Sequence, residues 1–436
     1  MVKDATSTHL SSASQPSGPG QSEAFLGLLE RALEAYETPP ECEEGERQLM
    51  AALLHIMADE DHLRCLLALK GSLAQRVVDA MYKVHHLYGS SEGPQRRRWL
   101  ATLTIIAQGA KILPSALTID AQIHEITSWP AIWQAPMVDI LEGALSSGAQ
   151  VCAKKYRSRP EIRGAVVKMF IKEAIMWSTH PHERLLPFQG VYRGEGGLIN
   201  IDWSYLVSQR KPFGSLSEYL DERPNADRRK LIKDILEAMM YLHHEQVVHG
   251  DIKSSNVFVD AEGRACLADF GLSRYVDAQV LEEFDEVCSP AAGLIIWRAP
   301  EWTEALFKDR FMPPTLATDV WSLGCVIYEV DNPTSPHLIL EPPLTRVTLQ
   351  VITGQLPFAD FFNVKTGPSY RDLGPLHNAI VIDGTRPSKP SPESQAFASF
   401  GLTDEIWEAM EWCWARDPAK RPSVHELFAK LCAAGL

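Results

Sequence analysis

The sequence predicts an α+β protein in which an all-α helical bundle precedes a unit with a sheet-rich first part and a helical second part. Three observations lead to this fold class. Apolar residues recur at helical spacing from 23 to about 113, short β-rich runs lie between about 119 and 270, and the chain beyond 300 is mostly helical with Pro-rich loops. Strands first and helices later indicate two subdomains, one built on a sheet and one on helices.

Four apolar stripes predict the bundle, which we place at 23–118. The first stripe ends before Pro39-Pro40, and Gly71 interrupts the chain between the second and the third. The stripes begin at Phe25, Leu49, Leu73 and Trp99. Residues 1–22 are rich in Ser, Gly, Pro and Gln. They are expected to form a disordered tail because they cannot bury enough apolar surface to offset the entropy of ordering.

Composition excludes several classes of protein. The 436 residues exceed one ordinary domain, and a net charge of -14 is a poor match for nucleic acid or anionic membranes. The eight cysteines form no C-x-x-C pair, which disfavours a zinc ribbon or redox motif and indicates thiols of a reducing compartment, the cytoplasm or the nucleus. Neither a membrane span nor a signal peptide is expected, since no apolar run is long enough. The basic run Arg96-Arg97-Arg98 is interpreted as the solvated start of a helix, with a basic docking patch as the alternative.

Five short motifs follow one another in the second part of the chain. They are VHGDIKSSN at 248–256, DFG at 269–271, APE at 299–301, TDVWSLG at 318–324 and WCWARDPAKRPSVHEL at 412–427. Each motif is weak alone, but their order and spacing resemble eukaryotic protein kinases, most closely the tyrosine kinase-like group. The resemblance covers 119–436. It implies a two-lobe protein-kinase fold with a small lobe at 119–211 and a large lobe at 212–436.

The resemblance also implies a chemistry, the transfer of the ATP γ-phosphoryl group to serine or threonine of a protein. Asp251 would orient the substrate hydroxyl, and Lys253 would neutralise charge developing on the phosphoryl group. Asn256 and Asp269 would hold Mg²⁺, a hard cation that prefers oxygen ligands. A lysine two residues after the aspartate is usual in serine/threonine-directed members. An ordinary structural loop is the alternative interpretation of the first motif.

The small lobe supplies the nucleotide-binding residues that the resemblance implies. Lys154 stands where the family binds the α- and β-phosphates, and Glu173 of the next helix would be its partner, a plain surface glutamate being the alternative. Lys155 is expected on the opposite, solvated face of the strand. Adenine would lie against Cys152, the gatekeeper Ser208, the backbone of Gln209 to Lys211, and Phe258.

Framework residues of the family are present as well. His249 and Phe270 are expected to pack beneath the site with Trp177, and Asp319 is expected to hold the backbone of the catalytic loop. Such residues argue for the fold and not for activity.

The glycine-rich loop of the family is missing. Its positions fall on or near Gln134, Ala135 and Pro136, so we expect weaker phosphate binding. In the catalytic loop Gly250 replaces a common arginine. Further along the chain, Leu294 stands where serine/threonine kinases often carry a threonine that ties Asp251 to Lys253. Without that arginine, activity is not expected to require phosphorylation at any of three sites. These are Ser273, Tyr275 and Ser289.

A Pro-rich segment near 331–350 interrupts the large lobe, where a helix from Thr318 should lead directly into the phrase at 351–358. A surface loop and an unspliced intron in the gene both account for it. In either case the segment is expected outside the packed lobe, because its prolines cannot continue the helix.

The sequence thus predicts an ATP- and Mg²⁺-dependent serine/threonine protein kinase. The rival from a different class is a pseudokinase, a kinase fold used as a binding or scaffold module. In both cases the N-terminal bundle could bind a protein partner. A kinase acting on a small molecule is disfavoured by the APE motif and the segment around Arg421, which match protein kinases.

Overall fold

The computed structural model describes the bundle and most of both lobes. The described residues are 19–37, 43–88, 93–119, 123–124, 133–135, 138–193, 201–276, 295–308, 310, 312–328, 358 and 373–436. The Pro-rich segment at 331–350, Ser289, Leu294 and Pro136 lie outside these ranges, as do residues 1–18.

Five helices form the N-terminal bundle. They are α1 (Pro19–Glu37), α2 (Glu43–Ala58), α3 (Glu60–Leu67), α4 (Gly71–Val84) and α5 (Gly93–Ala110). The predicted stripes are their buried faces, and the predicted break is found, since α3 ends before Gly71, which has φ +65° and begins α4. The expected boundary of the tail is wrong by a few residues, because α1 already begins at Pro19 and not at 23.

A six-stranded antiparallel sheet and one helix form the small lobe. The elements are β1 (Ile123–His124), β2 (Trp133–Ala135), β3 (Val138–Leu145), β4 (Gln150–Tyr156), α6 (Arg163–Thr179), β5 (Phe188–Arg193) and β6 (Ser204–Gln209). The strand order is β1-β3-β4-β6-β5, with β2 also paired to β3. Strand β4 therefore lies in the middle of the sheet, with partners on both sides. Its side chains alternate along the strand between the face towards α6 and the outer face of the sheet.

Helices dominate the large lobe. The elements that follow β6 are α7 (Leu216–Glu222), α8 (Arg228–His244), β7 (Val247–Val248), β8 (Val257–Val259), β9 (Ala265–Leu267), β10 (Arg274–Tyr275), α9 (Pro300–Phe307), α10 (Leu316–Tyr328), α11 (Leu373–His377), α12 (Gln395–Ala398), α13 (Asp404–Cys413) and α14 (Val424–Ala433). Two small antiparallel sheets are also present, one formed by β7 with β10 and one by β8 with β9. Arg421 pairs with Glu301 through two contacts of 2.7 and 2.8 Å and ties the end of the chain to α9.

One apolar core runs from the bundle through α6 into the large lobe. Helix α5 packs on α6, so the bundle is attached directly to the kinase-like unit. The expectation that Arg96, Arg97 and Arg98 are solvated is wrong for the first two. Arg96 pairs with Glu245 of the large lobe, and Arg97 is buried. Among the described residues, no helix is both long and apolar enough to span a membrane.

Candidate active site

Strand alternation places Lys154 in the cleft. Val151 and Ala153 are buried on the outer side of the sheet, so the alternate residues Cys152 and Lys154 point the other way, towards α6. Lys155 lies on the outer face as predicted. The expectation that it is solvated is wrong, because it is half-buried with its ammonium 5.8 Å from the ring centres of both Trp203 and Tyr205.

Lys154 joins two carboxylates. Its Nζ lies 2.7 Å from Oε1 of Glu173 on α6 and 2.8 Å from Oδ1 of Asp269. Burial alone would lower the pKa of Lys154, but Asp269 and Glu173 outweigh burial and hold that pKa well above its usual range. The lysine is therefore charged and fixed at the back of the cleft.

Tyr156 completes this cluster. It lies two residues beyond Lys154 on the same face of β4, and its hydroxyl donates a hydrogen bond to Oε2 of Glu173. Burial raises the pKa of Glu173, and both Lys154 and the Tyr156 hydroxyl limit the rise. Sequence reasoning missed Tyr156. The signal was its position, since residues i and i+2 of a strand share a face.

Asp269 is held in a conformation that few non-glycine residues adopt. Its φ is +73°, and its Oδ1 also accepts a hydrogen bond of 3.2 Å from the N–H of Gly271. Burial would raise the pKa of Asp269, but the charges of Lys154 and Lys253 hold it well below its usual range. Asp269 is thus an anion at neutral pH.

The catalytic-loop residues form a second cluster. Oδ2 of Asp251 accepts hydrogen bonds from Nζ of Lys253 at 2.5 Å and from Nδ2 of Asn256 at 2.9 Å. The carbonyl of Asn256 accepts a hydrogen bond of 2.8 Å from the N–H of Ala268, directly before Asp269. This bond links the segment that carries Asn256 directly to the segment that carries Asp269.

The framework beneath the cleft is as predicted. Asp319 of α10 accepts backbone hydrogen bonds of 2.8 Å from both His249 and Gly250, which fixes the start of the catalytic loop. The ring of Phe270 lies between Trp177, at 6.2 Å between centres, and His249, at 5.8 Å. Aromatic contacts therefore run from α6 to the catalytic loop.

The donor set fits a magnesium ion. Nδ2 of Asn256 donates twice to Asp251, which leaves Oδ1 as an available oxygen. Both described hydrogen bonds to the Asp269 carboxylate are accepted by Oδ1, so Oδ2 is a second available oxygen. Two oxygens from neighbouring residues suit Mg²⁺, which is commonly held by one or two protein ligands together with substrate phosphates and water.

Comparison with known proteins agrees with this geometry. Residues 141–431 match the protein kinase domain family. The chain belongs to the protein kinase family. The match begins within β3, after the segment where the glycine-rich loop of other kinases would lie.

Several curated kinases of Arabidopsis thaliana are similar to this one. L-type lectin-domain containing receptor kinase S.1 is 30% identical over 304 residues, which is 67% of this chain and 39% of the relative. Mitogen-activated protein kinase kinase kinase 5 is 27% identical over 220 residues, 49% of this chain and 24% of the relative. L-type lectin-domain containing receptor kinase V.4 is 34% identical over 200 residues, 44% of this chain and 28% of the relative. The kinase thus spans well under half the length of these relatives.

The predicted adenine-binding residues of the kinase lie around one edge of the cleft. Cys152 and the buried Ser208 are direct partners in the register of β4 and β6, and Phe258 lies on β8. Burial raises the pKa of Cys152 to about 11, so its thiol is neutral at neutral pH. The N–H of Gln209 already donates to the carbonyl of Pro187 at 3.2 Å. Among the described hydrogen bonds none uses the N–H of Lys211, and its role towards adenine stays a prediction.

The hairpin formed by β2 and β3 lies where the family carries its glycine-rich loop, and its connection is short. Strands β2 and β3 remain paired up to Ala135 opposite Val138, and Gln134 pairs with Asp139. Only two residues therefore connect the strands. Two of the three positions where the kinase family carries glycines are strand residues here.

Gly250 is restricted by its surroundings. Its φ is +80°, and a Cβ at this position would lie 2.9 Å from the carbonyl oxygen of Leu272 and 3.2 Å from Pro314. A side chain here requires the neighbours to move. Arg298 is a buried cation close enough to the catalytic loop to feel the charge of Asp251; burial lowers its pKa, and Asp251 opposes that shift.

Two of the three possible phosphorylation sites are inaccessible. The hydroxyl of Ser273 is buried and donates to the carbonyl of His249 at 3.0 Å, and Tyr275 is buried in β10. Ser289 lies outside the described residues. The prediction that activity does not require these sites stays a prediction.

Proposed function

We propose that this chain transfers the γ-phosphoryl group of ATP to serine or threonine hydroxyls of a protein substrate, with magnesium. The observation that carries the proposal is the contact of Lys154 with both Glu173 and Asp269, at 2.7 and 2.8 Å. Kinases need the lysine–glutamate pair and the metal-binding aspartate in place at the same time. Both conditions are met within this one cluster.

Each residue of the site has a defined task in this reaction. Lys154 binds the phosphates of the nucleotide, and Asp251 accepts the hydrogen bond of the substrate hydroxyl and orients it towards the phosphoryl group. Lys253, held 2.5 Å from Asp251, faces the developing charge. Asn256 and Asp269 would hold magnesium, which supplies positive charge along the phosphates when bound.

The alternative, a pseudokinase serving as a scaffold, is not favoured by this arrangement. A binding module has no need for Lys154, Asp251, Asn256 and Asp269 to be present and ordered by hydrogen bonds to one another. The serine/threonine preference follows from Lys253, two residues after Asp251. Because ATP is an intracellular substrate, the proposal includes a cytoplasmic or nuclear location. A protein partner could bind the faces of the bundle that do not contact α6.

The adjacent lysines of β4 provide a matched test. We expect Lys154→Met to abolish magnesium-dependent ATP binding and phosphorylation of a serine-rich protein substrate. Lys155→Met, on the outer face of the same strand, should preserve both. Asp251→Asn should lower kcat by roughly 10²–10⁴-fold, the usual contribution of an acid–base group, without preventing nucleotide binding. Asp269→Asn should also abolish transfer.

Radiolabel transfer and fluorescent-nucleotide binding, each with and without magnesium, distinguish the two functions. Transfer at an undiminished rate in both aspartate variants would identify a contaminating kinase and refute the proposal. The same conclusion follows if the unmodified protein binds no nucleotide at millimolar ATP, in which case the scaffold function would be favoured.

A further inference from the structure

The N-terminal bundle contacts the helix that carries Glu173. Helix α5 lies along α6, and Nε2 of the buried Gln108 donates to the backbone carbonyl of Lys168 at 3.0 Å. Arg96, near the start of α5, reaches the opposite end of α6. Its NH2 group donates to the carbonyl of Thr179, the last residue of α6, at 2.7 Å.

Arg96 binds the large lobe at the same time. Its NH1 group forms an ion pair with Glu245, the residue that follows α8. Glu245 precedes β7, which leads directly into the catalytic loop with Asp251. The two side chains are only 15% and 20% exposed, so their attraction is weakly screened by solvent. One arginine of the bundle thus links the Glu173 helix to the segment before Asp251.

The C-terminal end of α6 is a favourable place for a hydrogen-bond donor that carries positive charge. The last carbonyls of a helix have no partner within the helix, and a cation there also interacts favourably with the helix dipole. Arg96 supplies both the donor and the charge. Tyr275 of β10 packs at this point as well, with its ring 5.7 Å from that of His180, directly after α6.

A second attachment holds the segment that follows the bundle to β5. The N–H of Ile119 donates to the carbonyl of Val191 at 3.0 Å, and Arg193 donates to Oγ1 of Thr118 at 2.7 Å. Gly190 allows this close approach, because a Cβ there would lie 2.7 Å from Ile119. The chain is therefore held to the small lobe at β5 as well as at α6.

We propose that the bundle is a built-in positioning element of this kinase, and that Arg96 is the residue through which it acts. Arg96 does not touch the nucleotide. It holds the end of α6 against the large lobe, so that Glu173 stays within reach of Lys154. The predicted effect of Arg96 on catalysis rests on the proposed kinase function, whereas its predicted effect on the position of α6 does not.

The test compares two ion-paired arginines of the bundle. Arg96→Ala removes the link to α6 and Glu245, whereas Arg76→Ala removes a pair with Glu37 that lies within the bundle. We expect Arg96→Ala to lower kcat and raise the KM for ATP, reducing kcat/KM for ATP at least about fivefold, the lower end of typical coupling between sites. The KM for the protein substrate should stay unchanged. Amide hydrogen exchange should become faster across 163–179.

Two further variants keep the test valid if Arg96→Ala folds poorly. Arg96→Lys keeps the positive charge but lacks the planar, forked guanidinium that reaches Thr179 and Glu245 through separate nitrogens, and it should fall between wild type and Arg96→Ala. Glu245→Gln should lower kcat while leaving the Thr179 contact in place. Arg76→Ala should match wild type in kcat, in the KM for ATP and in exchange across 163–179.

Failure of this inference differs from failure of the kinase function. If Arg96→Ala and Arg76→Ala change kcat equally, or if exchange across 163–179 is the same in both, the positioning role is refuted. If wild type transfers no phosphoryl group, the kinase function fails. Faster exchange across 163–179 in Arg96→Ala alone would then still support the positioning role.

Discussion

Lys154 carries one positive charge but contacts two carboxylates. Glu173 and Asp269 both contact its ammonium group, so the cluster carries excess negative charge until a metal ion binds. Two further donors reduce the resulting repulsion, the Tyr156 hydroxyl on Glu173 and the N–H of Gly271 on Asp269. Burial raises the pKa of Tyr156 well above its usual range, and Glu173 raises it further, so Tyr156 remains a proton donor at every working pH.

Removing this donor should weaken the site in a pH-dependent way. In Tyr156→Phe, Oε2 of the buried Glu173 loses its partner, an effect that typically costs about 1–3 kcal/mol. A lost donor raises a carboxyl pKa, so Glu173 takes up its proton, and releases Lys154, at a higher pH than in wild type. We expect the acid limb of the kcat/KM profile for ATP to move to higher pH.

Tyr205→Phe is the matched control for this prediction. Tyr205 lies on β6 with its ring near Lys155, on the outer face of the sheet. It should leave the acid limb unchanged. If Tyr156→Phe also leaves it unchanged, Tyr156 has no role in setting the charge of Glu173.

Elements with a strong periodic signal could be predicted from the sequence, and the motifs named most of the residues that come together in the candidate site. The bundle stripes predicted helices in the right places, and β4 was found from its β-rich run. The two-residue strands β7 and β10 have no such signal, because pairing between distant segments creates them. The ion pair of Arg96 with Glu245 and the ring contacts of Lys155 could not be predicted for the same reason. Both depend on surfaces, around Glu245 and Trp203, that are far away in sequence.

The β2–β3 hairpin is the element most relevant to nucleotide affinity. Two lost backbone donors to phosphate remove at most roughly 3–6 kcal/mol, at about 1.5–3 kcal/mol each. Micromolar binding corresponds to about -8 kcal/mol, so between roughly -5 and -2 kcal/mol would remain, near or beyond the millimolar limit. The loss is an upper estimate, since Lys154 and a bound magnesium ion would carry most of the phosphate charge. We therefore expect weak but measurable ATP binding.

Restoring glycines should strengthen binding. We expect the triple variant Gln134→Gly, Ala135→Gly and Pro136→Gly to lower the KM for ATP and raise the rate, because glycine allows the backbone to approach the phosphates. The control is Ser146→Gly with Ser147→Gly, in the turn between β3 and β4, which adds similar backbone freedom away from the hairpin tip. Equal effects of the two variants would show that flexibility alone matters.

At the scale of the whole molecule, buried histidines make the stability depend on pH. Burial lowers the pKa of His180 to about 3, and it also lowers the pKa values of His85 and His249. His180 lies where the bundle, α6 and β10 meet, and its Nδ1 is 2.8 Å from the carbonyl of Met176. Protonation at this position would place an unsolvated charge in the core that connects the bundle to both lobes.

Stability should therefore fall as the pH drops below about 6.5, the pKa of an unfolded histidine. Below that pH the unfolded chain binds a proton at His180 that the folded chain excludes down to a pH of about 3. Each such histidine adds a slope of at most about 1.4 kcal/mol per pH unit to the free energy of unfolding. Asp269, whose pKa is depressed, contributes in the same direction, but only below the unfolded aspartate value of about 3.9. Glu173, whose pKa is raised, acts in the opposite direction.

Denaturant unfolding between pH 5 and 7.5 isolates the histidine contribution. His180→Asn keeps an N–H donor for the Met176 carbonyl but cannot take up a proton. We expect this variant to show a shallower loss of stability than wild type as the pH falls from 6.5 to 5. His425→Asn, an exposed histidine on α14, should leave the slope unchanged. If the His180→Asn profile runs parallel to wild type, the acid sensitivity arises elsewhere, because a neutral side chain at 180 removes the only proton uptake that this position can contribute.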